Sequence, residues 1–267
     1  MNERLRILKL LEQGTINAEE AARLLEALSH GESRKKPKVG IWNSLEGIPQ
    51  IIATAIDSST RFTSTEEELE FDTRAKVEFR GISGDLVITG KADIPKIHVQ
   101  KDGLTKISEQ KDTLLIKALS GDMKITTPLQ TDLSIKGISG DLKLAHLNST
   151  MRIETVSGDI MGNELSGAFY GDIVSGDIDL DFASVKKIAL KSRSGNVVIW
   201  LEDKINAMLD IANEKGKILC DFDLKDEEKS KKTLKGIINK PEVVIEISNK
   251  SGHIAIKKRS QKPKDVP

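Results

Sequence analysis

The chain of 267 residues is short of most things that announce an enzyme or a membrane protein. Its single cysteine, Cys220, excludes an internal disulfide. Aromatic residues make up only 3% of the chain, so any core must be aliphatic. No stretch approaches the ~18 consecutive apolar residues of a membrane-spanning helix. The opening Met1-Asn2-Glu3-Arg4-Leu5-Arg6 carries no apolar signal-peptide region. The expected compartment is therefore the cytoplasm. Lys+Arg and Asp+Glu balance at 41 each, which removes any bulk electrostatic pull toward nucleic acid. The four histidines, His30, His98, His146 and His253, are scattered without metal-ligand spacing. No Gly-x-Ser-x-Gly nucleophile motif is present. Neither catalysis, a cofactor nor a small-molecule substrate is expected.

What the chain has instead is a tripeptide that keeps returning. Ser-Gly-Asp stands at Ser83-Gly84-Asp85, Ser120-Gly121-Asp122, Ser139-Gly140-Asp141, Ser157-Gly158-Asp159 and Ser175-Gly176-Asp177. Variants follow at Ser194-Gly195-Asn196 and Ser251-Gly252-His253, and a degenerate one at Lys215-Gly216. From Ser120 to Ser194 the steps are 19, 18, 18 and 19 residues, and the step from Ser83 to Ser120, 37 residues, equals two periods. A fixed period of this size marks a solenoid, whose units bury their apolar faces only by stacking.

The flanks alternate with period two. Val77 and Phe79, Leu114 and Ile116, Leu133 and Ile135, Met151 and Ile153, and Ile188 and Leu190 precede the turns. Leu86 and Ile88, Met123 and Ile125, Leu142 and Leu144, Ile178 and Leu180, and Val197 and Ile199 follow them. Polar residues separate the members of most pairs, so each unit reads as two short strands with one buried face. Leu209, Ile211, Ile218, Cys220, Ile245, Ile247, Ile254 and Ile256 fit the same frame, which predicts a buried, inert thiol at Cys220. One unit departs, with Phe169 and Gly171 before its turn and Gly162 in the preceding strand, where a small-residue notch is expected. The expected fold is a mainly β, single-stranded β-solenoid of ~18–19-residue repeats with nine or ten rungs; a β-sandwich is the alternative, because short alternating strands at regular spacing also suit it.

Glycine suits a turn that needs positive φ, and the flanking Ser and Asp or Asn can bond nearby backbone. The turn residues are thus structural first. They are weak binding candidates second, because stacking would line Asp122, Asp141, Asp159 and Asp177 up about 4.8 Å apart, a spacing that invites a cation. Calcium wants six to eight oxygens, however, and the glycine-rich nonapeptide of calcium-binding rolls is absent.

Residues 1–31 are a different object: Leu5, Leu8 and Leu11 at helical spacing, Gly14 as a stop, then Asn17 with Glu20 as a capping box and Leu24, Leu25 and Leu28 beyond. This predicts a helical hairpin too small to be stable alone, whose leucine face serves oligomerisation or docking, or else caps the solenoid end. Residues 32–62 form a basic linker, Arg34-Lys35-Lys36-Pro37-Lys38, and an apolar connector. Within 39–62, Ile48, Ile51, Ile52, Ala55 and Ile56 at helical spacing predict a helix that caps the first rung, touches an anionic membrane beside Trp42, or meets a partner. The solenoid spans 63–257, interrupted at Lys225–Lys235 by an exposed charged loop or degraded rung; residues 258–267 are a basic tail, expected to be disordered.

The segment Met1–Gly14 with Asn17-Ala18-Glu19-Glu20-Ala21-Ala22-Arg23-Leu24-Leu25 resembles the SHOCT-like amino-terminal hairpin, and the Ser-Gly-Asp repeats resemble the adhesin-type β-repeat domain that follows it in many bacterial proteins. Together they are similar to cell-envelope-stress proteins of the LiaX and YvlB type. The resemblance implies a non-enzymatic protein linked to envelope-stress signalling, in some members sensing membrane-active antimicrobial peptides. It implies protein partners or self-association through the hairpin. The competing expectations are an exported surface protein that binds cationic peptides or glycan, and a self-assembling solenoid scaffold.

Overall fold

The computed structural model describes residues 66–262; the hairpin leucines Leu5, Leu8, Leu11, Leu24, Leu25 and Leu28 and the connector lie outside them. Alternating sequence becomes strand throughout. The first strands are β1 (Glu67–Asp72), β2 (Lys76–Gly81), β3 (Leu86–Lys91), β4 (Lys96–Lys101), β5 (Thr105–Gln110), β6 (Thr113–Ala118) and β7 (Met123–Pro128). Then come β8 (Asp132–Gly137), β9 (Leu142–Ala145), β10 (Asn148–Thr155), β11 (Ile160–Ser175), β12 (Ile178–Ser194) and β13 (Val197–Leu201). The last are β14 (Ala207–Asn213), β15 (Ile218–Cys220), β16 (Lys225–Lys229), β17 (Thr233–Ile238), β18 (Val243–Asn249) and β19 (Ile254–Lys258), closed by a 3-10 turn at Arg259–Gln261.

Each rung is a strand, a glycine turn and a second strand, so the solenoid has two faces. The front sheet runs β5, β6, β2, β8, β10, the later half of β11, the later half of β12, β18, β14, β17, β16. The back sheet runs β1, β4, β7, β3, β9, the earlier half of β11, the earlier half of β12, β13, β19, β15. Rung pairs along both faces are parallel, as coiling of one chain demands and a hairpin-built sandwich does not. Between the faces lies one aliphatic core. The inward positions read from the alternation, among them Val77, Ile88, Ile116, Ile153, Leu190 and Ile199, are all buried. The expected notch is filled by its neighbours: a Cβ on Gly162 would meet Leu165 Cδ1 at 2.5 Å and Leu180 Cδ2 at 2.7 Å, and one on Gly171 would meet Leu190 Cδ1 at 2.6 Å.

The rungs are not stacked in chain order. The 37-residue step holds no hidden rung; β4 and β5 leave the coil as antiparallel strands at the end of the solenoid. The next rung, β6–β7, then lands outside β2–β3, which is sandwiched between it and β8–β9. The other end repeats the device: β16 and β17 form an antiparallel excursion, and the final rung, β18–β19, slides between β12–β13 and β14–β15. Eight rungs result among the described residues, fewer than the nine or ten expected, because the two excursions consume the length of the missing ones. Residues Lys225–Lys235 are therefore neither loop nor rung. They include the outermost strand β16, Lys-Asp-Glu-Glu-Lys, exposed at every position. Charge on a free edge blunts it against further pairing.

Two local expectations change. Cys220 is half-buried rather than buried, because β15 has only one neighbouring strand in its sheet; that burial still pushes its thiol pKa up. The basic tail, where described, is docked. Arg259 Nε and Lys262 Nζ donate to the buried Asp181 carboxylate at 2.7 and 2.9 Å, and Arg259 also reaches Glu164 at 2.8 Å.

Candidate functional site

The turn residues form one column down an edge of the solenoid, in the spatial order Asp122, Asp85, Asp141, Asp159, Asp177, Asn196, His253. Its bonds run between rungs. Asp122 Oδ1 accepts from the Asp85 backbone N–H at 2.9 Å, and Asp85 Oδ1 accepts from that of Asp141 at 2.8 Å. Asp141, Asp159 and Asp177 pass the same bond on at 2.9, 2.8 and 2.7 Å, the last to Asn196. Asn196 Oδ1 then accepts from His253 N–H, and His253 Nδ1 from Lys217 N–H, both at 3.0 Å. The tripeptide's last position therefore requires an acceptor on a short arm, which Asp, Asn and His all supply. The serines add to the column: Ser83, Ser139 and Ser157 hydroxyls donate to the carbonyls of Leu119, Ile82 and Ile138 at 3.2–3.3 Å.

The glycines are fixed twice over. Gly158 has φ +117°, and a Cβ there would lie 2.0 Å from the Gly140 carbonyl oxygen of the rung beneath. The same close approach recurs at Gly84, Gly140, Gly176 and Gly195, and Gly121 is pressed against the Asp102–Gly103 turn that ends the column. Ser120 is buried, and Ser175 and Ser194 are exposed at the turn. All of these predicted residues are thus brought together by the stacking of the rungs. No group of three or more His, Cys, Asp or Glu able to hold a metal occurs among the described residues. No described helix is long and apolar enough to cross a membrane.

Two residues missed by the sequence reading complete the column. Buried Asn249 donates from Nδ2 to the carbonyls of Gly195 and Ser251, and buried Asn213 to those of Gly252 and Lys217. Both stand three residues before a turn glycine, where earlier rungs carry Gly81, Gly137 or Thr155.

A feature with ligand dimensions lies elsewhere among the described residues, on the outer side of the front sheet. A trough of about 500 Å³ crosses β10, β11, β12, β18 and β14, within the usual range for small-molecule sites. Its outward row, strand by strand, is Arg152, Tyr170, Ala189, Glu246, Asp210. A second row beside it is Glu154, Asp172, Lys191, Ser248, Ala212. The Arg152 guanidinium lies 4.9 Å from the Tyr170 ring centre, a cation–π contact worth about 0.5–1 kcal/mol at an exposed position. Lys136, Lys187 and Lys235 pair with Glu154, Glu246 and Asp210 at 2.9, 3.7 and 2.9 Å. None of these residues was singled out from the sequence, since each looks like an ordinary solvent-facing strand residue.

No curated protein matches the chain. Among solved structures it is similar to a "putative cell adhesion protein" from Clostridium sporogenes, 13% identical, covering 73% of this chain and 100% of that one at a TM-score of 0.41. A "putative adhesin" from Bacteroides fragilis is 12% identical over 73% of this chain and 98% of its own, TM-score 0.35. A "putative lipid binding protein" from Parabacteroides distasonis has the same identity and coverage, TM-score 0.34. Residues 2–33 match the SHOCT-like domain. Residues 72–257, the whole run of rungs just described, match the Toastrack DUF4097 family, and the chain belongs to that family.

Proposed function

We propose that the protein is a non-enzymatic recognition scaffold associated with the cell envelope. The solenoid is a stiff plate whose front face meets a partner or surface, and residues 1–31 are the docking or self-association module. The observation that carries this reading is the contrast between the column and the front face. The carboxylates best placed for acid–base or metal work each accept a backbone N–H from the next rung. The front face instead offers a trough of ligand size with an aromatic ring at its side. The SHOCT-like match over 2–33 supports the docking role, and the resemblance to envelope-stress proteins supports the setting. The working position is the cytoplasmic side, with peripheral membrane contact through 39–62.

Removal of residues 1–31 tests it. The expected outcome is loss of self-association by sedimentation, or of captured partners after in-cell cross-linking, with the β-sheet circular dichroism and Tm retained. An unchanged mass and partner set would sink the docking role. Non-permeant protease on intact cells checks the compartment: protection is expected, and digestion would favour the exported, surface-binding alternative.

A further inference from the structure

We propose that the front-face trough is a saccharide site, which takes a short run of neutral hexopyranose units laid along the solenoid axis. The assignment rests on the reading of the front face as a recognition surface. The described phenylalanines, Phe71, Phe79, Phe169, Phe182 and Phe222, all pack in or against the core. The chain's one tyrosine faces outward at position 170. The Arg152 guanidinium lies over one face of its ring, and Ala189 and then Glu246 follow Tyr170 along the row on the other side. Tyr170 and Glu246 are two strands apart, about 9–10 Å at the usual interstrand spacing. That gap admits one ring stacked against the tyrosine. The slot exists because Ala189, between Tyr170 and Glu246 in the row, stops at Cβ; alanine is depleted on strands, and any longer side chain would close it.

The rim selects the chemistry. Carboxylates, an ammonium and a hydroxyl alternate around the slot at Asp172, Glu246, Lys191 and Ser248. Sugar hydroxyls both donate and accept, and a mixed rim answers them in both senses. A phosphate or a cationic peptide would instead favour one sign. Here three of the carboxylates already carry lysine partners, which leaves the trough close to neutral. Its floor spans five adjacent strands, about 19 Å, so an extended chain fits better than a compact molecule. The C–H face of a pyranose on Tyr170 supplies the apolar contact.

Among the described residues, another outward aromatic shows what a closed position looks like. Trp200 on the back sheet is 6% exposed, its indole N–H donates to Asp179 at 2.9 Å, and the Lys257 ammonium covers its ring at 4.8 Å. Nothing can stack there.

The test titrates the full chain, by calorimetry and saturation-transfer NMR, with tetrasaccharides of glucose, galactose, mannose and N-acetylglucosamine. A second arm uses phosphatidylglycerol vesicles with and without a glycosyl-diacylglycerol. At least one probe should bind. Ala189→Leu, which fills the slot on a solvent face, and Tyr170→Ala should each weaken it about tenfold or more, with Tm held. Met161→Ala on the back face should leave it unchanged. Binding of soluble sugar identifies a free glycan as the source, and binding confined to glycolipid vesicles a membrane saccharide. No binding by any probe, or binding indifferent to both front-face variants, overturns the assignment. If the hairpin deletion abolishes partner capture while every sugar arm is silent, the scaffold reading stands and the saccharide site falls.

Discussion

The turn column and the front face are built from the same repeat, yet they obey opposite rules. In the column, each residue is dictated by the rung beside it: glycine by a carbonyl 2.0 Å from the place of its Cβ, aspartate by an N–H awaiting an acceptor. On the front face, one register position reads Glu78, Ser134, Arg152, Tyr170, Ala189, Glu246, Asp210 across successive strands. Stacking asks nothing of those side chains. In a repeat protein the residues that recur report the architecture. The residues that vary at a recurring position are where a ligand can be chosen.

The comparison is broken most violently at a glycine. Gly158→Val combines a positive φ with a clash against Gly140 backbone that no rotamer relieves. Strain of ~1–3 kcal/mol plus displacement of the rung should place the loss at about 4 kcal/mol or beyond. Urea unfolding of the variant would show it, and a midpoint within error of the parent would mean the rungs have slack that the close approach denies.

The clasp at the far edge comes next. Asp181 is buried with Arg259 and Lys262 as its cationic partners. Arg259→Ala removes the stronger partner and leaves the carboxylate poorly compensated, a loss of roughly 2–3 kcal/mol. The paired variant Arg259→Ala with Asp181→Asn should recover part of it, as a double-mutant cycle in thermal melts would reveal. Strict additivity would argue that the two act apart.

Within the column a finer cut separates acceptor from charge. Asp159→Ala leaves the Asp177 N–H without its 2.8 Å acceptor and should cost about 1–2 kcal/mol. Asp159→Asn keeps an acceptor and lowers the repulsion among stacked carboxylates, so its effect should stay within ~0.5 kcal/mol. Asn196 already does this work two rungs further on. Added calcium should leave the Tm of the parent unmoved; a rise that the Asn variant abolishes would restore the cation reading.

How far these distinctions are legible without coordinates depends on whether they are local. Alternation exposes the inward set, because burial on a strand is a matter of parity: Val77, Ile88, Ile116 and Leu190 announce themselves. Parity carries no direction, so β4 and β5 look like rung strands and the 37-residue step looks like two periods, although both strands run antiparallel at the solenoid's end. The hint lay in Asp102-Gly103, a turn without its serine. Turn chemistry likewise suggests local bonds for aspartate, whereas the acceptor's partner lies 18–56 residues away. The roles of Asn213 and Asn249 follow only once the last rungs are known to be inverted. The trough leaves the faintest trace of all, one tyrosine at an outward parity.

The smallest effect is the most telling, because the comparison requires it to be small. Ala189→Leu and Tyr170→Ala change outward positions of the front sheet. Surface substitutions of this kind fall within about 0.5 kcal/mol, and leucine at position 189 gains strand propensity over alanine. The loss of the Arg152 stack with Tyr170→Ala adds at most about 1 kcal/mol. Chemical denaturation should therefore rank both far below Gly158→Val. If Ala189→Leu instead destabilised the fold as a column variant does, the alanine would belong to the architecture, and the slot beside Tyr170 would be a consequence of stacking rather than a space kept open.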